Sequence, residues 1–181
     1  MKAEIRKKYE SLIRPEWIKA KNCTNVHQVP LLRKVVLNMG LGKGAQDKKI
    51  FEAAKEGMTA LSGQVPFVTK AKKSIAAFKV REGMNAGLKV TLRRKNMDYF
   101  LERLINVAMP RIRDFRGLSS KSFDGRGGIS FGILDHSIFP EISHDERILG
   151  QLGLDISVST TAKNDQDAKD LLEKLGFPFY E

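Results

Sequence analysis

The chain has 181 residues, 41% hydrophobic and 29% charged, with a formal net charge of +11, which is enough for one well-packed core, so a single domain over residues 1–181 is expected. No run reaches the roughly 18 apolar residues of a membrane span, residues 1–10 are charged with no apolar segment behind them, and the lone Cys23 excludes an internal disulfide or a thiolate metal cage. A cytoplasmic protein is expected, with no membrane partner, metal or cofactor.

In chain order, Ile5, Tyr9, Leu12 and Ile13 recur at helical spacing among Lys2, Arg6, Lys7 and Lys8, which predicts an amphipathic opening helix ending by Pro15. Lys34 to Met39 is rich in branched residues and runs into Gly40, Gly42 and Gly44, so it reads as a strand followed by a loop. Asp47 can cap the next helix, whose buried stripe is Ile50, Phe51, Ala54, Met58 and Leu61 and whose stop is Gly63. Val65 to Thr69 is a short strand, and Pro66 puts it at an edge or makes it the start of pairing, because proline donates nothing to a ladder.

Leu88, Val90 and Leu92 alternate with Lys89, Thr91 and Arg93, a period of two that places apolar groups on one sheet face and basic or hydroxyl groups on the other. Met97, Phe100, Leu101, Leu104, Ile105 and Ala108 mark a helix ended by Pro110. Residues 111–128 lack periodicity and contain four glycines, which predicts a long functional loop at about 110–128. Ile129, Phe131 and Ile133 restart a strand, Leu154, Ile156 and Val158 make the last one, and a helix capped near Asn164 turns Ala168, Leu171, Leu172 and Leu175 inward before Gly176. This order is not the βαβ alternation of a doubly wound sheet. It predicts an α+β fold, a two-layer sandwich with helices on one face of a largely antiparallel sheet and the other face partly open.

The charge is concentrated. Gly63 to Met97 holds nine Lys/Arg against one acid, Glu82, whereas Asp135 to Glu181 holds four bases against ten acids. Such asymmetry draws a polyanion to one side, with nucleic acid ahead of anionic lipid. Within the basic stretch lie Thr69, Lys70, Lys72, Lys73, Ser74, Phe78, Lys79 and Arg81. Their cations neutralise phosphates, their hydroxyls bond phosphate or a ribose 2′-OH, and an exposed Phe stacks on an unpaired base, which suits RNA.

Two features point elsewhere. Gly40, Gly42 and Ala45 match a dinucleotide fingerprint with alanine in third place, the basis for the alternative of a nucleotide-binding enzyme using the Gly40 to Ala45 turn, but the acid expected about 20 residues on is missing. His136 beside Asp135, and His144 beside Asp145 and Glu146, show no metal-ligand spacing and read as a solvated acidic loop.

Several segments carry a resemblance. They are Val35-Val36-Leu37-Asn38-Met39-Gly40, Leu61-Ser62-Gly63-Gln64, the run from Thr69 to Met84, Leu104-Ile105-Asn106, Pro110 to Leu118, Ser122-Phe123-Asp124-Gly125, Ile138 to Ile142 and Thr160-Thr161-Ala162. Together, nearly full length, they resemble the universal large-subunit ribosomal protein five family in its bacterial form, with Gly128 where family members often have Asn. The resemblance implies a non-enzymatic protein of the central protuberance that binds 5S rRNA alongside large-subunit rRNA, touches P-site tRNA and bridges to a small-subunit ribosomal protein. It carries the 5S rRNA surface onto Asn38, Gln64, Thr69, Lys70, Lys72, Ser74, Phe78 and Arg81, with Lys73 as a further phosphate-neutralising cation. It carries the tRNA contact onto Lys79, Arg81, Met84 and Asn85, and the bridge onto Arg111, Arg113, Phe115 and Arg116 with Asp135 and Glu141 in the acidic segment.

Overall fold

Burial alternates from residue to residue along the longer strands. In a computed structural model that describes residues 3–21, 25–42, 47–142 and 152–180, the strands are β1 (Leu32–Gly40), β2 (Phe67–Lys70), β3 (Asn85–Leu92), β4 (Leu118–Ser119), β5 (Gly128–Ile133), β6 (Leu154–Thr160) and β7 (Phe179–Tyr180). Five of them form an antiparallel sheet in the order β2-β3-β1-β6-β5. One sheet face buries Val35, Leu37 and Met39, Leu88, Val90 and Leu92, and Leu154, Ile156 and Val158. On the other, Asn38 and Thr91 are half-buried and Lys89, Ser130 and Asp155 are exposed. This is the α+β arrangement that the period of two predicts. Strand β2 lies at a sheet edge with Pro66 immediately before it, which satisfies the proline without costing a ladder bond.

Contacts divide the chain into two compact units. The first comprises residues 1–35, 92–131 and 157–181. Its opening helix does not end by Pro15. α1 (Glu4–Lys8) passes through a π-helical turn (Tyr9–Ile13) into α2 (Arg14–Ala20), with Pro15 in the first positions of α2. The wider turn lies where the proline ring would crowd a preceding carbonyl and where its missing N–H breaks the ladder, so the helix carries on. The extra residue also rotates the apolar stripe: Ile13 and Trp17 are buried, while Leu12, expected inside, is 54% exposed. The same device recurs after α3 (Lys48–Ser62), where α4 (Arg94–Arg103) runs through a π turn (Leu104–Ala108) into α5 (Met109–Arg111) around Pro110.

The last helix of this unit, α6 (Asp165–Leu175), buries Ala168, Leu171, Leu172 and Leu175. Several of its charged residues have partners within the unit. Asp167 pairs with Lys21, Lys174 donates to Glu16 at 2.9 Å, and Asp165 accepts from the N–H groups of Gly125 (3.0 Å) and Gly127 (2.9 Å). Residues 111–128 are accordingly tied down in part: β4 pairs in parallel with β7, and Phe123 stacks on Phe179 with ring centroids 5.8 Å apart. Asn164 sits at the cap position of α6 without a side-chain cap bond.

A Cβ at Gly128 would lie 2.5 Å from Asp124 Oδ2, so a larger residue there would require that carboxylate to shift. The Asp124 carboxylate instead folds over the turn and accepts from the N–H groups of Arg126 and Gly128, both at 2.8 Å. These bonds favour the charged form and hold its pKa below the usual carboxylate value. A depressed folded pKa contributes stability that is fully present above the unfolded value of about 3.9 and is lost as pH falls through the folded one. The Asp124 carboxyl should therefore titrate by NMR with a midpoint below about 3.9, with the Arg126 and Gly128 amides losing exchange protection over the same range. A midpoint at or above 3.9 would show that these bonds do not form.

The second unit comprises residues 36–91 and 132–156. Here α3 (Lys48–Ser62) begins at Asp47, whose carboxylate accepts from the Lys49 N–H at 2.9 Å, and ends at Gly63 with φ 69. Its stripe is as expected, with Ala54, Met58 and Leu61 fully buried and Ile50 and Phe51 half-buried. His136 departs from expectation. It is 2% exposed rather than solvated, and its Nδ1 lies 2.9 Å from the Leu152 carbonyl, which can only accept. His144, Asp145 and Glu146 lie outside the described residues, as do Cys23, Gly44 and Ala45.

Candidate nucleic-acid interface

β2 and β3 pair antiparallel with Phe67 opposite Lys89, Val68 opposite Leu88 and Thr69 opposite Gly87. The register then slips between Thr69 and Lys70, setting Lys70 opposite Asn85. A bulge of this kind bends and twists the hairpin at the point where it leaves the sheet. Beyond it the backbone stays paired. The Ala71 N–H donates to the Met84 carbonyl at 2.8 Å, Gly83 N–H to the Ala71 carbonyl at 3.0 Å, and Ile75 and Val80 exchange bonds of 2.9 and 3.2 Å. The tip is a short 3₁₀ turn, Ala76–Phe78, closed by Lys79 with φ 53.

Residues 71–84 are thus an arm held together by cross-bonds between its two legs. The side chains are what it offers to solvent: Lys70, Lys72, Lys73, Lys79 and Arg81 are exposed, and Phe78 is 73% exposed. Phe78 forgoes the roughly 1.5–3 kcal/mol that burying it would contribute and presents its ring at the end of the arm. With Glu82 as the arm's one acid, five cations within a dozen residues make a field suited to phosphates.

The polar residues divide by role. The Ser74 hydroxyl accepts from the Glu82 N–H at 2.9 Å, and the Met84 thioether accepts from the Arg81 N–H at 3.1 Å, so both brace the arm. Asn38 donates its amide N–H to Asp155 Oδ2 at 3.2 Å, and Gln64 donates to the Thr91 carbonyl at 3.2 Å while the Ser62 hydroxyl bonds the Gln64 carbonyl at 2.8 Å. Both amides use a donor inside the protein, which fixes their rotamers and keeps the side-chain carbonyl oxygens as the acceptor ends. Thr69 is half-buried and Asn85 exposed.

All the residues assigned to RNA and tRNA therefore belong to the second compact unit. The bridge residues do not fall together in this way. Arg111, Arg113 and Arg116 are exposed and Phe115 half-buried in the first unit, beside Asp114 with φ 53, whereas Asp135 and Glu141 are half-buried in the second. Sequence reasoning passed over Phe67 and did not count Lys89 as a site residue. The signal for both was the alternation itself, which puts odd-numbered residues of β3 on the exposed face, together with a register that sequence does not supply.

Two family models match the chain, one for the C-terminus of the ribosomal L5 family over residues 85–179 and one for ribosomal protein L5 over residues 25–81. The chain belongs to the ribosomal protein L5 family. The large ribosomal subunit protein uL5 of Synechococcus sp. is 51% identical over 175 residues, covering 97% of each chain. That of Shewanella piezotolerans is 51% identical over 177 residues, covering 98% of each, and that of Thermus thermophilus 52% identical over 175 residues, covering 97% of this chain and 96% of the relative. Membership of the L5 family makes the chain a structural protein of the large ribosomal subunit, found in the ribosome, and not an enzyme. The antiparallel sheet agrees, because a dinucleotide fingerprint requires a parallel βαβ unit behind it. Among the described residues no helix is long and apolar enough to cross a membrane.

Proposed function

We propose that this L5-family protein binds 5S rRNA through the 71–84 arm and the adjoining exposed sheet face, and so helps attach that RNA in the central protuberance alongside large-subunit rRNA. One observation carries the proposal: Lys72, Lys73 and Arg81 are displayed with Phe78 on a single cross-bonded arm, with Lys70 at its base. Phosphates are neutralised by the cations, while Asn38, Gln64 and Thr69 orient the RNA and Ser74 keeps the arm in shape. Recognition rests on RNA shape and unpaired bases rather than a groove code, because the deep groove of an RNA helix does not admit side chains. Lys79 at the tip of the arm, Arg81 along it, and Met84 and Asn85 at its base are the proposed contact to P-site tRNA. Arg111, Arg113, Phe115 and Arg116, with Asp135 and Glu141, are the proposed contacts to a small-subunit ribosomal protein.

Arg81 tests the 5S rRNA assignment. The Arg81→Ala variant should bind 5S rRNA more weakly and lower the slope of log affinity against log salt by about one. A slope and affinity equal to the wild type over a salt titration would remove Arg81 from the interface.

A further inference from the structure

Phe67 is 73% exposed at the start of the edge strand β2. Its cross-strand partner is Lys89, also exposed, and the next pair along the same face is Thr69 with Gly87. In an antiparallel ladder directly opposed residues share a face, so the ring of Phe67, the ammonium of Lys89 and the hydroxyl of Thr69 all belong to the exposed side that also carries Asn38. Gly87 keeps that side flat next to them: a Cβ there would meet the Met39 carbonyl oxygen at 2.5 Å. The neighbouring acid on the face, Asp155, is engaged by Asn38 at 3.2 Å.

An exposed ring with a cation across the ladder and a hydroxyl two residues on is the chemistry of a stacked, unpaired base and its adjoining phosphate. A protein partner of apolar character would be poorly served by it, since docking would strip water from Lys89 without supplying an anion. We infer that Phe67 is a second stacking point for an unpaired RNA base, separate from Phe78, with Lys89 neutralising the phosphate beside it. This rests on the RNA-binding function proposed above and adds a stacking point on its sheet face.

Dissociation constants should be measured for the wild type, Phe67→Leu and Phe67→Tyr against 5S rRNA and against a fully paired RNA duplex, each over a salt series. Leucine keeps apolar bulk and loses the π face; tyrosine keeps the face. The expected result is that Phe67→Leu binds 5S rRNA about tenfold more weakly with an unchanged salt slope, Phe67→Tyr matches the wild type, and duplex affinity is the same for all three. Equal 5S rRNA affinity for Phe67→Leu and wild type overturns the stacking role while leaving RNA binding intact, and so does an equal loss on the duplex. A wild type that binds neither RNA overturns the proposed function itself, and the inference with it.

Discussion

Replacing Lys70, Lys72 and Lys73 together with alanine should leave a folded protein whose affinity for 5S rRNA at about 0.1 M salt is roughly a hundredfold lower. All three side chains are exposed on or just beyond the end of β2, so their removal exposes no core and breaks no ladder bond. What is lost is counterion release: each phosphate contact contributes about 0.7–0.9 to the salt slope, so the triple variant should lower that slope by roughly two to three. Equivalent loss should not follow from Lys169→Ala on α6, a lysine whose neighbour is Glu173 at 3.7 Å. A triple variant with the wild-type slope would mean that the arm's charge does not meet phosphate, whatever happens to the affinity.

Gly87→Ala should destabilise the fold by about 3 kcal/mol, the upper end of the overpacking range, because the atom it strikes is backbone and cannot swing aside. The added Cβ would sit 2.5 Å from the Met39 carbonyl oxygen and 3.4 Å from the Gly40 Cα, so β3 and β1 must part where the exposed face is flattest. For a chain of this length that is a fall in Tm of roughly 6–12 °C. Gly40→Ala is the internal comparison: a Cβ at Gly40 meets nothing within 4 Å, and its Tm should stay close to the wild type. Equal melting of the two variants would show that the strands are not held at this separation.

Much of the sheet was legible because β3, β5 and β6 alternate in the sequence and β1 is rich in branched residues, and α3 because Asp47, a regular stripe and Gly63 mark its start, face and end. What stayed hidden depends on long-range geometry. Pro15 reads as a terminator in any local window, and only a π turn ahead of it lets the helix continue and turns Leu12 outward. The β4–β7 pairing joins two-residue segments some sixty residues apart in the chain, too short to carry a periodic signal. The acids of α6 look like free negative charge in a composition count, yet Asp165 and Asp167 bond within their own unit.

The site shows the same division. Charge and hydroxyl content located the arm, since a basic run with one acid is visible in sequence, but the pairing that makes it an arm depends on bonds such as Ala71 to Met84. Phe78 could not be assigned to core or surface from its type alone, and Phe67 went unremarked in the sequence; both are 73% exposed. Asn38 and Gln64 entered through family resemblance, and the structure adds their internal anchors, Asp155 and the Thr91 carbonyl.

The most direct test is ultraviolet crosslinking of the protein in intact ribosomal particles, followed by identification of the nucleic acid attached to each peptide. Peptides spanning Thr69 to Arg81 should carry 5S rRNA. Recovery of those peptides joined only to protein, with 5S rRNA attached to none of them, would contradict the account.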